Sequence, residues 1–193
     1  IDKEDLSARD WSIVATYSIP GKASGLAYDG TYIYSGIYGS NGDKVYRFDP
    51  VTGNSQLQFS SSAIEDSYGL TWDGQYLWAT DHVTSSSVPA TAYQLDLSGN
   101  LISQFDLPDH YMSGIAYDNG NFWVCTYYPD PSTIYKVDAS GSILENFQSP
   151  GNQPWDICLE NDNLWIADYN DNVLYKTDQS GNILESHPSD NIK

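Results

Sequence analysis

The sequence predicts an all-β fold, a β-propeller of four four-stranded blades of about 44 residues each, preceded by one extra outer strand. The first observation behind this prediction is a recurring phrase, which reads WDGQYLWATD at residues 72–81. Its central aromatic recurs at steps of 44, 45 and 42 residues, at Tyr34, Trp78, Trp123 and Trp165. The second is that each repeat contains short strand-like runs between turn residues, and the third is that no segment has a helical period.

Each repeat contains four predicted strands, named a to d in chain order. Strand a is a GLAYD-like run, and the Asp-Gly pairs that follow it at 29–30 and 73–74 are typical of tight hairpin turns. Strand b is an aromatic run such as YLWA, strand c is a Tyr-x-x-Asp phrase, and a Ser-Gly-Asn type of turn leads to strand d. Strand b is apolar at consecutive positions, which indicates burial on both faces between neighbouring blades.

The aromatic residues of strand b are expected to pack between blades against small residues, because alternation of large and small side chains allows sheets to pack densely. The small positions are Ala27, Thr71, Ala116 and Cys158 on strand a, and Gly36, Thr80, Cys125 and Ala167 on strand b. The two cysteines are expected to be free, buried thiols. The cations Arg47, Lys136 and Lys176 share one position of strand c and are expected to point to solvent.

A single domain over residues 1–193 is predicted. It comprises a polar leader (1–10), the extra outer strand (11–21) and repeats at 22–66, 67–110, 111–153 and 154–193. Unpaired blade faces and strand edges favour association. Three arrangements are therefore open: a closed four-bladed ring, a ring or other assembly completed by a second chain, or part of a longer array. A homo-oligomer is favoured.

The charge of the chain restricts the classes of partner. Twenty-six acidic residues oppose eight basic ones, for a net charge of -18. Such a surface repels the phosphates of nucleic acids, so no nucleic-acid partner is expected. No apolar stretch reaches the ~20 residues of a membrane helix, so no membrane insertion is expected. The abundance of Tyr, Asn and Ser with few Lys and Cys is typical of exported bacterial proteins, which predicts an extracellular or periplasmic location.

The repeated pattern GL-x-[Tyr/Trp]-Asp-Gly-x-Tyr-[Leu/Ile]-[Trp/Tyr], followed by [Ile/Val]-Tyr-x-[Phe/Leu/Val]-Asp and Gly-Asn, resembles the NHL-, SMP-30- and YVTN-like β-propeller superfamily. It is also similar to the repeats of glutamine-cyclotransferase-type propellers. The resemblance extends over residues 11–187. It implies the propeller fold, and the superfamily includes lactonases, lyases, cyclotransferases and binding modules. No catalytic motif of these enzymes is matched, so no catalytic residue is assigned.

The rim formed by the starts of the a strands and the ends of the b strands is the predicted ligand site, because the repeats agree within strands and differ here. Aromatic rings beside carboxylates suit the face of a sugar or a cation. The alternative is that these rings only cap the blade interfaces. The predicted ligand-binding residues are Tyr38, Tyr68, Asp81, His82, Tyr127, Trp155, Asp168 and Tyr169.

Metal binding is a weaker possibility at two places. Strand b of repeat 2 ends near the loop that leads into repeat 3, so the pairs Asp81-His82 and Asp109-His110 are expected to lie close together. These side chains would suit zinc, or a base with its orienting group, although their spacing matches no ligand motif. The stretches ADYNDN (167–172) and LENDN (159–163) carry oxygen ligands of the kind that calcium prefers. The Ser-Gly turns after strand c are interpreted as turns only. No cofactor is predicted, apart from possible calcium at 167–172.

The leading functional hypothesis is a non-enzymatic binding module with a protein or carbohydrate ligand at this rim. The first alternative is a propeller enzyme of the lactonase, lyase or cyclotransferase type, with a metal-assisted site around Asp81, His82 and Asp168. The second alternative is a structural protein whose role is assembly. Whether the protein is an enzyme is left open, with the balance against it.

Overall fold

The structure, a computed structural model, describes residues 16, 18–38, 44–64, 67–81 and 88–189. This part of the chain forms four four-stranded antiparallel sheets, each from four consecutive strands, arranged as the four blades of a β-propeller. The prediction of an all-β propeller is therefore confirmed. The strands are β1 (Lys22–Tyr28), β2 (Ile33–Tyr38), β3 (Lys44–Phe48), β4 (Ser55–Ser60), β5 (Ser67–Trp72), β6 (Leu77–Asp81), β7 (Thr91–Leu95), β8 (Leu101–Asp106), β9 (Met112–Asp118), β10 (Asn121–Thr126), β11 (Thr133–Asp138), β12 (Ile143–Gln148), β13 (Pro154–Glu160), β14 (Asn163–Asp168), β15 (Val173–Asp178) and β16 (Ile183–Pro188).

The extra strand predicted at 11–21 is not present in the part of it that is described, since residues 18–21 form no strand. The rest of that strand apart from residue 16, and the polar leader at 1–10, lie outside the described residues. The described residues contain no helix long and apolar enough to cross a membrane.

The pairing register places each large aromatic of strand b opposite a small residue of strand a, as predicted. The pairs are Ala27 with Tyr34, Thr71 with Trp78, Ala116 with Trp123, and Cys158 with Trp165. Neither cysteine forms a disulfide. Cys125 is buried, but the expectation of a second buried thiol is wrong, because Cys158 is exposed.

A carboxylate at the end of strand a holds the aromatic of strand b in every blade. In WDGQYLW, Asp73 Oδ1 accepts hydrogen bonds from the backbone N–H of Gln75 and Tyr76, at 2.8 and 2.6 Å. Its Oδ2 accepts one from Trp78 Nε1 at 2.8 Å. One aspartate thus organises the turn and orients the ring. The equivalent pairs are Asp29 with Tyr34 Oη (2.8 Å), Asp118 with Trp123 Nε1 (3.2 Å) and Glu160 with Trp165 Nε1 (3.0 Å).

Strand c adds a cation to this arrangement, which corrects the expectation that Lys136 and Lys176 point to solvent. Lys136 pairs with Trp123 in register. Its Nζ lies 2.9 Å from Asp118 and 5.1 Å from the centroid of the Trp123 ring. Lys176 is buried, with Nζ 2.8 Å from Glu160 and 5.0 Å from the Trp165 centroid. Arg47, at the same position in blade 1, lies over the Tyr32 ring instead, 4.4 Å from its centroid.

Three buried apolar clusters join successive blades. They lie between blades 1 and 2 around Tyr34 and Leu70, between blades 2 and 3 around Trp78 and Phe122, and between blades 3 and 4 around Trp123. Among the described residues no such cluster joins blade 4 to blade 1. Leu26 and Tyr28 on the free face of β1 are accordingly 55% and 57% exposed. We call this fourth interface the seam.

Glycines allow the innermost strands to approach one another at the other three interfaces. A Cβ on Gly69 would lie 2.6 Å from the carbonyl oxygen of Ser113, and one on Gly114 would lie 2.6 Å from the backbone nitrogen of Ile157. Gly25 packs against the backbone of blade 2 in the same way. The fourth repeat has Asp156 at this position. Its carboxylate accepts a hydrogen bond from the backbone N–H of Ile157 at 2.9 Å and receives a further one from the Leu26 amide across the seam.

Burial raises the pKa of Asp156 from its ordinary value of 3.8 to about 7, although the Ile157 and Leu26 amides lower it. Between these two pH values the folded state therefore binds more protons than the unfolded state, and stability falls as pH rises through the interval. We expect Asp156→Asn, which stays uncharged, to lose this part of the pH dependence. Thermal melting at pH 4, 5, 6, 7 and 8 would measure it. If the melting temperatures of the two proteins depend on pH in the same way, the expectation is wrong.

Candidate functional site

The rim that the sequence predicts as the site is formed by strand ends from all four blades. Because β1 and β2 are antiparallel, the start of β1 lies beside the end of β2, with Lys22 opposite Tyr38. The same pairing places Ser67 beside Asp81 in blade 2 and Pro154 beside Asp168 in blade 4. The starts of the inner strands and the ends of their neighbours therefore meet at one end of the central axis.

Five of the predicted residues form a continuous cluster of rings, which we call the aromatic cluster. Tyr68, only 6% exposed, lies at its centre. The ring centroid of Tyr68 is 5.3 Å from that of Tyr38, 6.0 Å from that of Tyr127 and 5.4 Å from that of Trp155. Trp155 also contacts Tyr127 at 5.8 Å and Tyr169 at 5.4 Å. The cluster thus includes side chains from every blade.

Tyr111, which is not among the predicted site residues, extends the aromatic cluster on the side of blade 3. Its centroid is 5.6 Å from that of Tyr127 and 5.0 Å from that of Tyr128. Burial raises the pKa of Tyr127, and the neighbouring phenols of Tyr111 and Tyr38 raise it further. This phenol is therefore neutral at physiological pH.

A cavity of about 470 Å³ opens beside the cluster, between the first and last blades. This volume lies within the range of small-molecule sites, ~300–1,000 Å³. Tyr169 is 42% exposed at its edge. Ser24, which lines the cavity, has its Oγ 3.5 Å from Ser67 Oγ. The lining residues are Lys22, Ala23, Ser24, Tyr38, Tyr68, Trp155 and Tyr169.

The two predicted carboxylates accept hydrogen bonds from backbone groups. Asp168 is fully buried, and its Oδ2 and Oδ1 accept hydrogen bonds from the N–H groups of Gln153 (2.7 Å) and Asp171 (2.8 Å). Asp81 accepts one from the Thr91 N–H at 2.7 Å and one from Tyr93 Oη at 3.3 Å. Both carboxylates hold the strands and loops that carry the aromatic cluster.

His82, the remaining predicted residue, lies outside the described residues. His110 Nδ1 lies 2.9 Å from its neighbour Asp109, and the His110 ring packs on Tyr111 at 4.2 Å. Within the part of the chain that the structure describes, no group of three or more His, Cys, Asp or Glu side chains is placed to hold a metal ion.

The acidic turns have ordinary turn geometry. Asp96 Oδ1 accepts hydrogen bonds from the N–H groups of Ser98 and Asn100, at 2.8 and 2.9 Å, and Asp178 does the same for Ser180 and Asn182. In the stretch at 167–172, Asp171 Oδ2 accepts a hydrogen bond from Tyr175 Oη at 3.1 Å. These carboxylates thus accept hydrogen bonds from backbone and side-chain donors of their own blade.

Lys22, Ala23 and Ser24 line the cavity but are not among the predicted site residues, and Lys22 is the charged one of the three. A signal was available: the residues three positions before Gly25, Gly69, Gly114 and Asp156 are Lys22, Asp66, Tyr111 and Gln153, so this position is a cation only at the start of β1. A difference between aligned repeats at the start of strand a is the same criterion that identified the aromatic rim, and it applies equally well to Lys22.

Comparison with solved structures supports the β-propeller fold. Glutaminyl cyclase from Myxococcus xanthus superposes with a TM-score of 0.57 at 14% identity, over 75% of this chain and 66% of that one. A protein of unknown function from Bacteroides caccae superposes with a TM-score of 0.59 at 14% identity, over 89% of this chain and 62% of that one. A chain of a nidogen/laminin complex superposes with a TM-score of 0.59 at 15% identity, over 87% of this chain and 64% of that one. This chain therefore spans less than two thirds of each neighbour.

No protein-family model matches the sequence, and no curated protein matches it. The identities of 14–15% to solved structures are evidence of a common fold alone. The finer resemblance to the NHL-, SMP-30- and YVTN-like superfamily stays a prediction.

Proposed function

We propose that this propeller is a non-enzymatic binding module that takes a carbohydrate in the cavity beside the aromatic cluster. The observation that carries the proposal is the cavity itself, whose walls are four aromatic side chains, Tyr38, Tyr68, Trp155 and Tyr169, and whose polar groups are few. Sites of this composition bind through apolar contact and use a small number of polar groups for orientation.

The aromatic faces suit sugars because a pyranose ring presents a C–H face that packs on a ring, while its hydroxyls reach hydrogen-bonding groups at the edge. Tyrosine and tryptophan combine an apolar body with one polar group, so they serve both parts of such a ligand. Asp81 and Asp168 would act indirectly in this site, since their oxygens accept hydrogen bonds from groups of their own blades.

The role of the rings is tested by replacing the two that come from blade 4. Trp155→Ala and Tyr169→Ala are each expected to weaken retention on a glycan array by about tenfold, equivalent to ~1.4 kcal/mol of binding free energy. Tyr28→Ala is the matched control, because Tyr28 is an exposed aromatic on the inner strand of blade 1 that does not line this cavity. Melting temperatures of all three variants would separate loss of binding from loss of folding.

If the unmodified protein retains no glycan, the carbohydrate proposal fails. If the Tyr28 variant loses binding as much as the Tyr169 variant, a glycan is bound somewhere other than this cavity. Tyr169 is the more informative position, since its partly exposed ring can be removed with little effect on the core.

A further inference from the structure

The sign of the charge at the cavity indicates the class of sugar. Among the seven lining residues Lys22 is the one charged side chain, and none of them is a carboxylate. The chain as a whole carries 26 acidic and 8 basic residues. Among the described residues, the lining of the cavity therefore carries a charge of the opposite sign to the net charge of the chain.

Lys22 also differs from the lysines of the blade faces. The ammonium groups of Lys136 and Lys176 are neutralised by carboxylates at 2.9 and 2.8 Å. Lys22 is exposed at the start of β1 and makes no ion pair with any residue in the described ranges. None of the carboxylates in these ranges neutralises its charge, which lies at the lining of the cavity.

Resting on the carbohydrate proposal above, we infer that the preferred ligand is an acidic sugar, a glycan with a hexuronic acid residue whose carboxylate pairs with Lys22. The sugar ring would lie against the aromatic side chains, and its carboxylate would accept a charge-assisted hydrogen bond from the Lys22 ammonium. A cationic ligand would instead meet a like charge. A neutral sugar would use Lys22 only as an ordinary donor.

The experiment compares sugars that differ only in this carboxylate. Saturation-transfer-difference NMR would be recorded with D-glucuronate against D-glucose and D-galacturonate against D-galactose, and affinities would be measured with the corresponding short oligosaccharides. We expect the acidic member of each pair to bind at least tenfold more tightly at low salt, with the preference declining as salt is added.

Three variants locate the preference. Lys22→Gln should abolish the preference, so that the acidic and neutral members of each pair bind equally, and Lys22→Arg should retain it. Lys44→Gln is the matched control, because it removes one positive charge at the start of β3, on the same rim but outside the cavity lining. It should leave the preference intact.

The outcomes separate this inference from the proposal on which it rests. If neutral and acidic sugars bind equally, or if Lys22→Gln keeps the preference, the inference is overturned while carbohydrate binding stands. If no sugar of either kind binds the unmodified protein, both are overturned. If Lys44→Gln removes the preference as completely as Lys22→Gln does, the effect comes from net charge and not from the cavity.

Discussion

Gly69→Ala is expected to destabilise the protein by more than about 4 kcal/mol, or to prevent cooperative folding. The added Cβ would lie 2.6 Å from the Ser113 carbonyl oxygen and 2.7 Å from the Ile115 nitrogen. Both atoms belong to the backbone of the neighbouring inner strand, so neither can move without separating the two blades. Typical domains have a free energy of unfolding of ~5–15 kcal/mol, so this loss is a large part of the total. Urea denaturation followed by tryptophan fluorescence would measure it.

Gly74→Ala is the control for the glycine prediction. Gly74 has a φ of +101°, and a Cβ placed there meets nothing within 4 Å. The Gly74→Ala substitution therefore destabilises the protein through backbone strain alone, by about 1–2 kcal/mol. If the two variants are equally stable, close approach of the inner strands is not what the repeated glycines provide.

Trp123→Ala is expected to cost about 3–5 kcal/mol, the range for removing a fully buried large aromatic side chain. Trp123 is 0% exposed in the cluster between blades 3 and 4, and its ring lies beneath the ammonium of Lys136. Removing it opens a cavity and also leaves Asp118 without its indole donor.

Trp165→Ala provides an internal comparison at the same position of the next repeat. Trp165 has equivalent partners, with Glu160 accepting from its indole at 3.0 Å and Lys176 above its ring, but it faces the seam and is only partly buried. We expect Trp165→Ala to lower the free energy of unfolding by less than half as much as Trp123→Ala does. Denaturation midpoints with unchanged slopes would give the comparison directly. Similar losses in the two variants would mean that the aromatic is stabilised mainly by its own blade.

The repeat pattern was sufficient to predict the fold because it contains local information: turn residues, strand lengths and burial on both faces. The repeat pattern also contains a signal for the hydrogen bonds that hold the strand b aromatics. The carboxylate five residues before each aromatic, as in Asp73 and Trp78, is visible in the sequence and corresponds to a hydrogen bond in every blade. The expectation that Lys136 and Lys176 point to solvent is wrong because the sequence of strand c alone does not show which side chains lie beside them. Its antiparallel register places those lysines beside the aromatics of strand b.

The cavity could be predicted less completely, since it depends on how blades distant in sequence are placed. Tyr68 and Trp155 are 87 positions apart, yet their ring centroids are 5.4 Å apart. Alignment of the repeats identified the rim and five aromatic residues that meet there. It could not distinguish a side chain that lines the cavity from one that supports it, which is the difference between Tyr169 and Asp168.

The seam makes one pair of neighbouring blades separable at lower cost than the other three. Separation of the first and last blades would leave the three apolar clusters buried, because none of these clusters joins those two blades. The cavity takes Lys22 and Tyr38 from one side of this joint and Trp155 and Tyr169 from the other. A ligand that contacts both sides would therefore link the first and last blades at the one interface that no apolar cluster joins among the described residues.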